Sequence, residues 1–569
     1  MKKAFLILLA LLMLLQLAAC EPTQDPAPSD TDTASGTEGE TDAAERILSL
    51  VVDGASEYRI VRSETASETV ASATNALRNA LKNITGVELK ITSDISALTE
   101  NGDNAAKKEI IIGKTRYEET ATALAECGYG DFVIRVYGNK IVVVAHDDSV
   151  TAKGCTYLSD ILLKYGERGS LSIPEGELNV TRAITQIVSA LPQFEGAGAM
   201  QLVDAGDGAY MMVVQKSNQE SFQSYCQSIE NAGYTLYTSH SASGNNFYTY
   251  VNDQYTINTY YRPYDRSIRV AVEPRGLLPL TEAPQYEKLT TPSVTMLGLE
   301  IDGNQIGLCL IFRLSNGHFV ILDGGNNKKV YADRIYQKLQ ELAIDKNNIV
   351  IDAWIISHGH TDHAGGMMQF QKHYSKQVTV KQFISNIPPE AKLLEINDLT
   401  TESAARNAMK QFPNVTLTKA HAGQIFYFAD AKIEMLYTVE DLYPKALEDG
   451  NSASLVFRIT LGGQTIMCLG DEYMDASLVL TSAYTGMYLK SDFVQVSHHG
   501  WEGATVALYN QIKPDVALWP VGLEYYAKQQ HLEQNKALKA LIKDLYVSGS
   551  TDVTLSLPYT LQNNKEANG

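Results

Sequence analysis

The chain has 569 residues, a formal net charge of −19, 44% hydrophobic and 20% charged residues. That length is more than one core can serve and implies two to four domains. The acidic balance excludes a broad basic surface of the kind that grips nucleic acid, so long nucleic acid is a disfavoured partner.

The first residues read as an export signal. Lys2 and Lys3 precede an apolar run from Ala4 to Ala19 that ends Leu17-Ala18-Ala19-Cys20. A basic start, a short apolar stretch and small residues before a cut site describe a cleaved secretory signal over residues 1–20. The ending resembles the bacterial lipoprotein signal, which implies lipid on Cys20, attachment to a membrane through that lipid, and an extracytoplasmic location. Residues 21–45 hold eight acids and no base and read as a disordered acidic tether. Removing those eight acids and the two lysines from −19 still leaves the body near −13. Five cysteines beyond Cys20 are scattered and show no CxxC, so buried thiols are expected rather than a disulfide or thiolate framework.

Residues 46–187 alternate strand and helix patterns. EYRIV (57–61), a helix over 65–85 ending at Gly86, EIIIG (109–113), a hairpin over 132–145 turning at Gly138-Asn139, and a helix over 149–164 predict a small α+β domain. Its layout resembles the accessory domain that precedes catalytic domains in extracellular glycosidases. Residues 188–280 predict a second small α+β domain: a strand at 208–215, a helix over 218–233, and four tyrosine-rich strands with one aromatic face. Tyr248, Tyr250, Tyr255, Tyr260, Tyr261 and Tyr264 could line a sugar or choline site or be half-buried sheet packing. Residues 273–292 carry four prolines and read as a linker into a third domain, 293–561.

The third domain holds SHGHTDHAGG at 357–366. The apolar strand 348–357 delivers His358 to a loop, with His360 two residues on and Asp362-His363 directly after. Gly365 and Gly366 are expected to let the backbone turn into a helix starting near Met367. Such a loop can aim alternate imidazoles at one point and the next carboxylate and imidazole at a second. That arrangement suits two cations sharing one water, whose pKa falls toward neutrality.

H-x-H-x-D-H resembles the metal loop of the metallo-β-lactamase superfamily of hydrolases, and the surrounding motifs agree. ILDGG ends at Asp323-Gly324-Gly325, about 35 residues upstream; CLGDE delivers Asp471 after a hairpin through Gly462-Gly463; and QVSHHG brings His498 and His499. The resemblance implies an αββα sandwich preceded by the two α+β domains. It implies metal ligands His358, His360, Asp362, His363, Asp471 and one histidine of the pair, with His498 favoured as the ligand and His499 as a supporting or substrate-facing group. It also implies Asp323 supporting the metal loop and Asp362 and His499 among the catalytic groups. The order of motifs resembles the branch containing the hydrolase domain of competence DNA-uptake channels and choline-phosphate esterases.

There are departures from that pattern. Where most relatives place a histidine before the strand SLVFRI, this chain has Gly450-Asn451-Ser452, so the site of His358 and His360 is short of one imidazole and its occupancy is open. Trp501 follows His-His-Gly and either walls the pocket or packs. His531 is a surface or site histidine. The resulting expectation is an extracellular, membrane-tethered hydrolase with two divalent metal ions, zinc or manganese, whose metal-bound hydroxide attacks a small or cell-envelope phosphodiester. The rival expectation is a non-catalytic surface protein that binds glycan or envelope polymer on a degenerate hydrolase fold.

Overall fold

The computed structural model describes residues 46–565 apart from 101–103, 129, 184–185, 196–198, 302 and 399–400. The expected signal, Cys20 and the acidic tether lie outside the described residues. From Ile47 onward the chain forms one compact unit. No described helix is long and apolar enough to cross a membrane.

Near the N-terminus, six strands order as Ile91–Ser93, Arg59–Arg62, Glu109–Ile112, Lys140–Ala145, Asp131–Tyr137 and Val180–Ala183. The strands Glu109–Ile112 and Lys140–Ala145 are buried at every position, as expected for a sheet covered on both faces. Helices Glu68–Thr85 and Asp148–Tyr165 cover one face and Glu118–Ala125 the other. The first helix ends at Gly86 because that residue takes φ +83°, a left-handed cap cheap only for glycine.

A second sheet of six strands is fully antiparallel and runs from Ala199–Gly206 through Ala209–Gln215, Ser267–Pro274, Tyr255–Arg262 and Asn245–Val251 to Thr235–Ala242. The expected single aromatic face is not what forms. Tyr260 and Tyr261 are neighbours on one strand and so point to opposite sides. Tyr248, Tyr250 and Tyr261 pack with Phe222 of the helix Gln219–Asn231, while Tyr260 joins the core on the other face. Tyr250, Tyr260 and Tyr261 are buried, and Tyr264 is 40% exposed. Nor does this sheet have a core of its own on both sides. Val203, Met211, Val213 and Tyr260 belong to one continuous core with Leu436, Tyr437 and Tyr443 of the third domain.

Two sheets face each other in that third domain. The first orders as Thr416–Lys419, Gln382–Ser385, Ile349–Ile355, Phe319–Asp323, Cys309–Arg313, Ser293–Met296 and Val553–Ser556, with Val378–Val380 beside Ile349–Ile355. The second orders as Ile425–Phe428, Ala431–Tyr437, Val456–Leu461, Gln464–Cys468, Phe493–Gln495, Val516–Trp519 and Asp544–Val547. Leu310, Phe312, Leu322 and Ile355 from one meet Ile433, Phe457, Ile459 and Phe493 from the other in a buried apolar seam. Helices Lys329–Leu342, Thr361–Tyr374 and Glu402–Lys410 close the outer face of the first sheet, and Met474–Ala483, Val506–Ile512 and Glu533–Leu541 that of the second. The architecture is an αββα sandwich. The five cysteines beyond Cys20 are buried free thiols.

Candidate metal centre

The site collects at the C-terminal ends of strands from both sheets, where parallel strands leave loops free to carry chemistry. The first sheet contributes Asp323 and the loop His358–His363; the second contributes Asp471 after Gln464–Cys468 and His499 after Phe493–Gln495.

Backbone contact locks the first half. Gly324 N donates to His363 O at 2.7 Å, and Gly366 N donates to Gly325 O at 2.7 Å. A Cβ on Gly366 would overlap Gly324 O, and one on Gly324 would lie 2.7 Å from Met367 N. The expectation that Gly365-Gly366 precede the helix is therefore corrected. The helix runs Thr361–Tyr374, and both glycines sit inside it, where they let it press against the Asp323–Gly325 loop.

Asp323 is fully buried at φ +56°. Its carboxylate accepts from Ser357 N at 2.8 Å, Ser357 Oγ at 2.7 Å and His363 Nδ1 at 2.7 Å. With its Nδ1–H given to Asp323, His363 turns Nε2 toward Asp471 Oδ2 at 3.0 Å and His499 Nε2 at 3.3 Å. His499 is fixed the same way: Nδ1–H donates to Pro520 O at 2.9 Å, and Nε2 lies 3.1 Å from Asp362 Oδ2 and 3.4 Å from Asp471 Oδ2. The ligand-type atoms of Asp362, His363, Asp471 and His499 all lie within 4.8 Å of one another.

His498, favoured from sequence as the ligand, is placed elsewhere. Its Nδ1 donates to Glu502 O at 3.0 Å, and its ring meets Tyr473 and Trp501 edge-on. The reason is local. His498 and His499 both adopt left-handed backbone (φ 50° and 54°), which reverses the chain so that only the second ring enters the cleft. Trp519 Nε1 donates to His499 O at 2.8 Å and holds the reversal. Trp501 is 41% exposed and also meets Tyr525, forming an aromatic rim with His498 and Tyr473. His531 is exposed, between the helices Leu523–Gln529 and Glu533–Leu541.

His358 and His360 stand beside this cluster. Their ring centroids are 4.6 Å apart, and His358 lies 4.3 Å from His363. Ser357 Oγ donates to Asp323, so it can accept from His358 Nδ1–H at 3.1 Å, which leaves His358 Nε2 a bare lone pair. That Nε2 is buried without a partner, as is Asp471 Oδ1. His360 Nε2 instead lies 3.0 Å from Asp398 Oδ2.

Three residues unnoticed in the sequence hold the arrangement. Gln495 accepts from Leu469 N and Gly470 N, both at 2.8 Å, and donates to Gly470 O at 2.9 Å, clamping the turn that presents Asp471. Ser454 Oγ accepts from Asp471 N at 3.1 Å and lies 3.2 Å from His358 Nδ1. Asp398 is the third. Of these only Gln495 left a signal, a lone amide in the apolar strand Phe493–Gln495.

Electrostatically the cluster demands positive charge. Burial opposes a charge on His499, but the Asp471 and Asp362 carboxylates outweigh it and hold its pKa at about 10. His363 is likewise raised well above its usual value against burial by Asp471, Asp362 and Asp323. Burial works against ionised Asp362 and Asp471, yet the adjacent imidazoles bring both below the usual carboxylate range. His358 goes the other way: burial, then the neighbouring His363 and His360, push its pKa well below the usual value and keep the ring neutral. Imidazoles and carboxylates with two orphaned, buried acceptor atoms form a donor set that fits divalent metal ions of the zinc, manganese or iron type.

Residues 303–397 match the family model described as "Metallo-beta-lactamase superfamily". No curated protein matches the chain. Among solved structures the chain is similar to the metallo-beta-lactamase fold protein YhfI from Bacillus subtilis, at 14% identity and a TM-score of 0.30, over 47% of this chain and 100% of that one. It is also similar to CmlA, a diiron beta-hydroxylase from Streptomyces venezuelae, at 12% identity and a TM-score of 0.27. That similarity covers 48% of this chain and 55% of CmlA, about half its length. The matched segment holds the strands Cys309–Arg313, Phe319–Asp323, Ile349–Ile355 and Gln382–Ser385 of the first sheet and the His358–His363 loop, and over these residues the chain matches a metallo-β-lactamase superfamily domain.

Proposed function

We propose that the chain is a metal-dependent hydrolase acting on small or cell-envelope phosphodiesters outside the cytoplasm. The observation that carries this reading is the convergence of Asp362, His363, Asp471 and His499 within 4.8 Å, beside the unpartnered His358 Nε2 and Asp471 Oδ1. These residues with His360 would hold two divalent ions, zinc or manganese. Bound there, such ions would activate water and neutralise charge developing on the substrate.

The chain's own groups do the positioning. Asp323 takes the Nδ1–H of His363, Pro520 O takes that of His499, and Ser357 Oγ faces Nδ1 of His358, so each ring turns its Nε2 to the cleft, where a bound cation would replace the proton that the carboxylates otherwise hold on His363 and His499. Gln495 and Ser454 hold Asp471 in place. Around the mouth, Trp501, Tyr473 and His498 form a wall against which an apolar or ring-shaped part of a substrate can rest. The acidic body argues against long polyanions as substrates. The rival reading, a binding protein using the tyrosine-rich sheet, is left with Tyr248, Tyr255 and Tyr264, because Tyr250, Tyr260 and Tyr261 are buried.

Asp362→Ala and His499→Ala are expected to reduce hydrolysis of a bis-aryl phosphodiester by at least ~100-fold, with zinc content falling in parallel. Unchanged turnover in both variants would remove the proposal. The export half of the reading has a separate test. Cys20→Ala is expected to lose labelling by a fatty-acid precursor and to leave the membrane fraction; retention of both would rule out a lipid on that residue.

A further inference from the structure

Beside the four-donor cluster, His360 Nε2 faces Asp398 Oδ2 at 3.0 Å. Asp398 lies on the segment after the helix Glu390–Glu395, the same stretch of chain whose Thr401 hydroxyl donates to Gly359 O of the metal loop. Gly450 N donates to the same oxygen at 3.1 Å. Gly450 has no side chain for a steric reason: a Cβ there would overlap Asp398 Oδ2 and lie 2.9 Å from His360 Nε2. The space in front of His360 that a side chain at 450 would fill is thus taken by a carboxylate arriving from 398.

We propose that Asp398 is a metal ligand, completing with His358 and His360 the half-site that the motif pattern leaves one imidazole short. This rests on the metal reading given above. Two further observations point to a ligand here. His358 Nε2 is buried and without a partner, and Asp471 Oδ1 is likewise buried and unpartnered. A purely structural Asp398–His360 pair would account for neither. Asp398 and His360 are each about a fifth exposed, at 23% and 21%, so this half-site opens toward solvent. A third carboxylate also changes the chemistry of the pair of sites. It adds a negative, oxygen-donor ligand where an imidazole would be neutral, and so shifts preference toward harder ions such as manganese or iron.

The test is zinc and manganese binding by the full chain, stripped with a chelator and titrated against a chromophoric competitor. Wild type is expected to bind two zinc ions. Asp398→Asn should keep one at wild-type affinity and weaken the other by more than the ~10- to 100-fold that loss of an outer hydrogen-bond partner costs. Asp398→Glu should retain both. Asp398→Ser removes the carboxylate by truncation and should reproduce the Asn result, and unfolding of the stripped variants reports whether the fold is intact. Two zinc ions bound by Asp398→Asn and Asp398→Ser with wild-type affinity would overturn the assignment while leaving the metal reading standing. A single ion in wild type that Asp398→Asn binds equally well would do the same. No uptake by wild type at saturating zinc would sink the metal reading itself, and this inference with it.

Discussion

Asp323 makes three hydrogen bonds from one buried carboxylate, and the one to His363 decides which ring nitrogen faces the cleft. In Asp323→Asn the amide can still serve Ser357, but its NH2 would compete with His363 Nδ1–H and favour the other tautomer, placing a proton on the nitrogen that faces Asp471. We expect zinc affinity to fall ~10- to 100-fold and stability by about 1.5–3 kcal/mol, the scale of a hydrogen bond to a charged group. Competition with a chelator and urea unfolding measure the two effects separately, and wild-type affinity in this variant would show that Asp323 does not orient the ring. At this scale much was legible, because residues inside a spaced motif announce themselves: Asp323, His358, His360, Asp362, His363 and Asp471 are all drawn to one cleft. The choice between His498 and His499 was not, since it turns on two consecutive left-handed residues that no residue pattern encodes. Asp398 was hidden for a different reason. It stands alone in its segment, and only folding brings it to His360.

The helix Thr361–Tyr374 shows how an element can defy local propensity. Two adjacent glycines near a helix start read as a break, since each costs about 1 kcal/mol relative to alanine within a helix. Here they are kept for the space they leave: Gly366 lies against Gly324 O and Gly365 against the backbone at Asn326-Asn327. The same principle explains why Gly324 carries no side chain. Gly366→Ala is therefore expected to destabilise rather than to stabilise the helix. Its methyl meets backbone instead of a movable side chain, so the penalty should reach or exceed about 3 kcal/mol, the upper end of ordinary overpacking. A denaturant midpoint equal to or above wild type would contradict the packing explanation. The strand Ala199–Gly206 escaped the sequence reading for a related reason: it is an edge strand whose Met200, Leu202 and Val203 are mixed with polar and small residues, and it is ordered by its pairing with Ala209–Gln215.

Over the whole molecule, the middle sheet is fastened to the sandwich by buried charge as well as by shared core. Arg262 Nη1 donates to Asp441 Oδ1 at 2.9 Å, Arg269 Nη1 donates to Glu440 O at 2.8 Å, and Lys419 Nζ donates to Ala205 O at 2.7 Å. At the centre His421 donates through Nδ1 to Glu440 Oε2 at 2.7 Å and has Nε2 3.4 Å from Glu273 Oε1. Tyrosine-rich strands suggested a self-contained module because sequence patterns report which face is apolar, not what covers it. Burial resists a charge on His421, but Glu440 and Glu273 outweigh it and raise its pKa from 6.5 to about 10. A group raised on folding stabilises fully below its unfolded pKa and loses that contribution as pH climbs through the folded value. The His421 contribution should therefore be complete below about pH 6.5 and fade toward pH 10. Glu440 has the opposite sense: burial raises it, His421 and Lys419 lower it further, and its support is lost as pH falls below its usual 4.5. Lys419, whose pKa burial lowers from 10.5, adds stability with rising pH and partly masks the loss at His421. Subtracting a His421→Gln variant isolates the imidazole. The thermal midpoint of wild type should exceed that of His421→Gln most near pH 6.5, and the gap should narrow steadily up to pH 10. A gap that is constant or widens across that range would mean that His421 is neutral in the folded protein and that shape, rather than charge, joins the sheet to the sandwich.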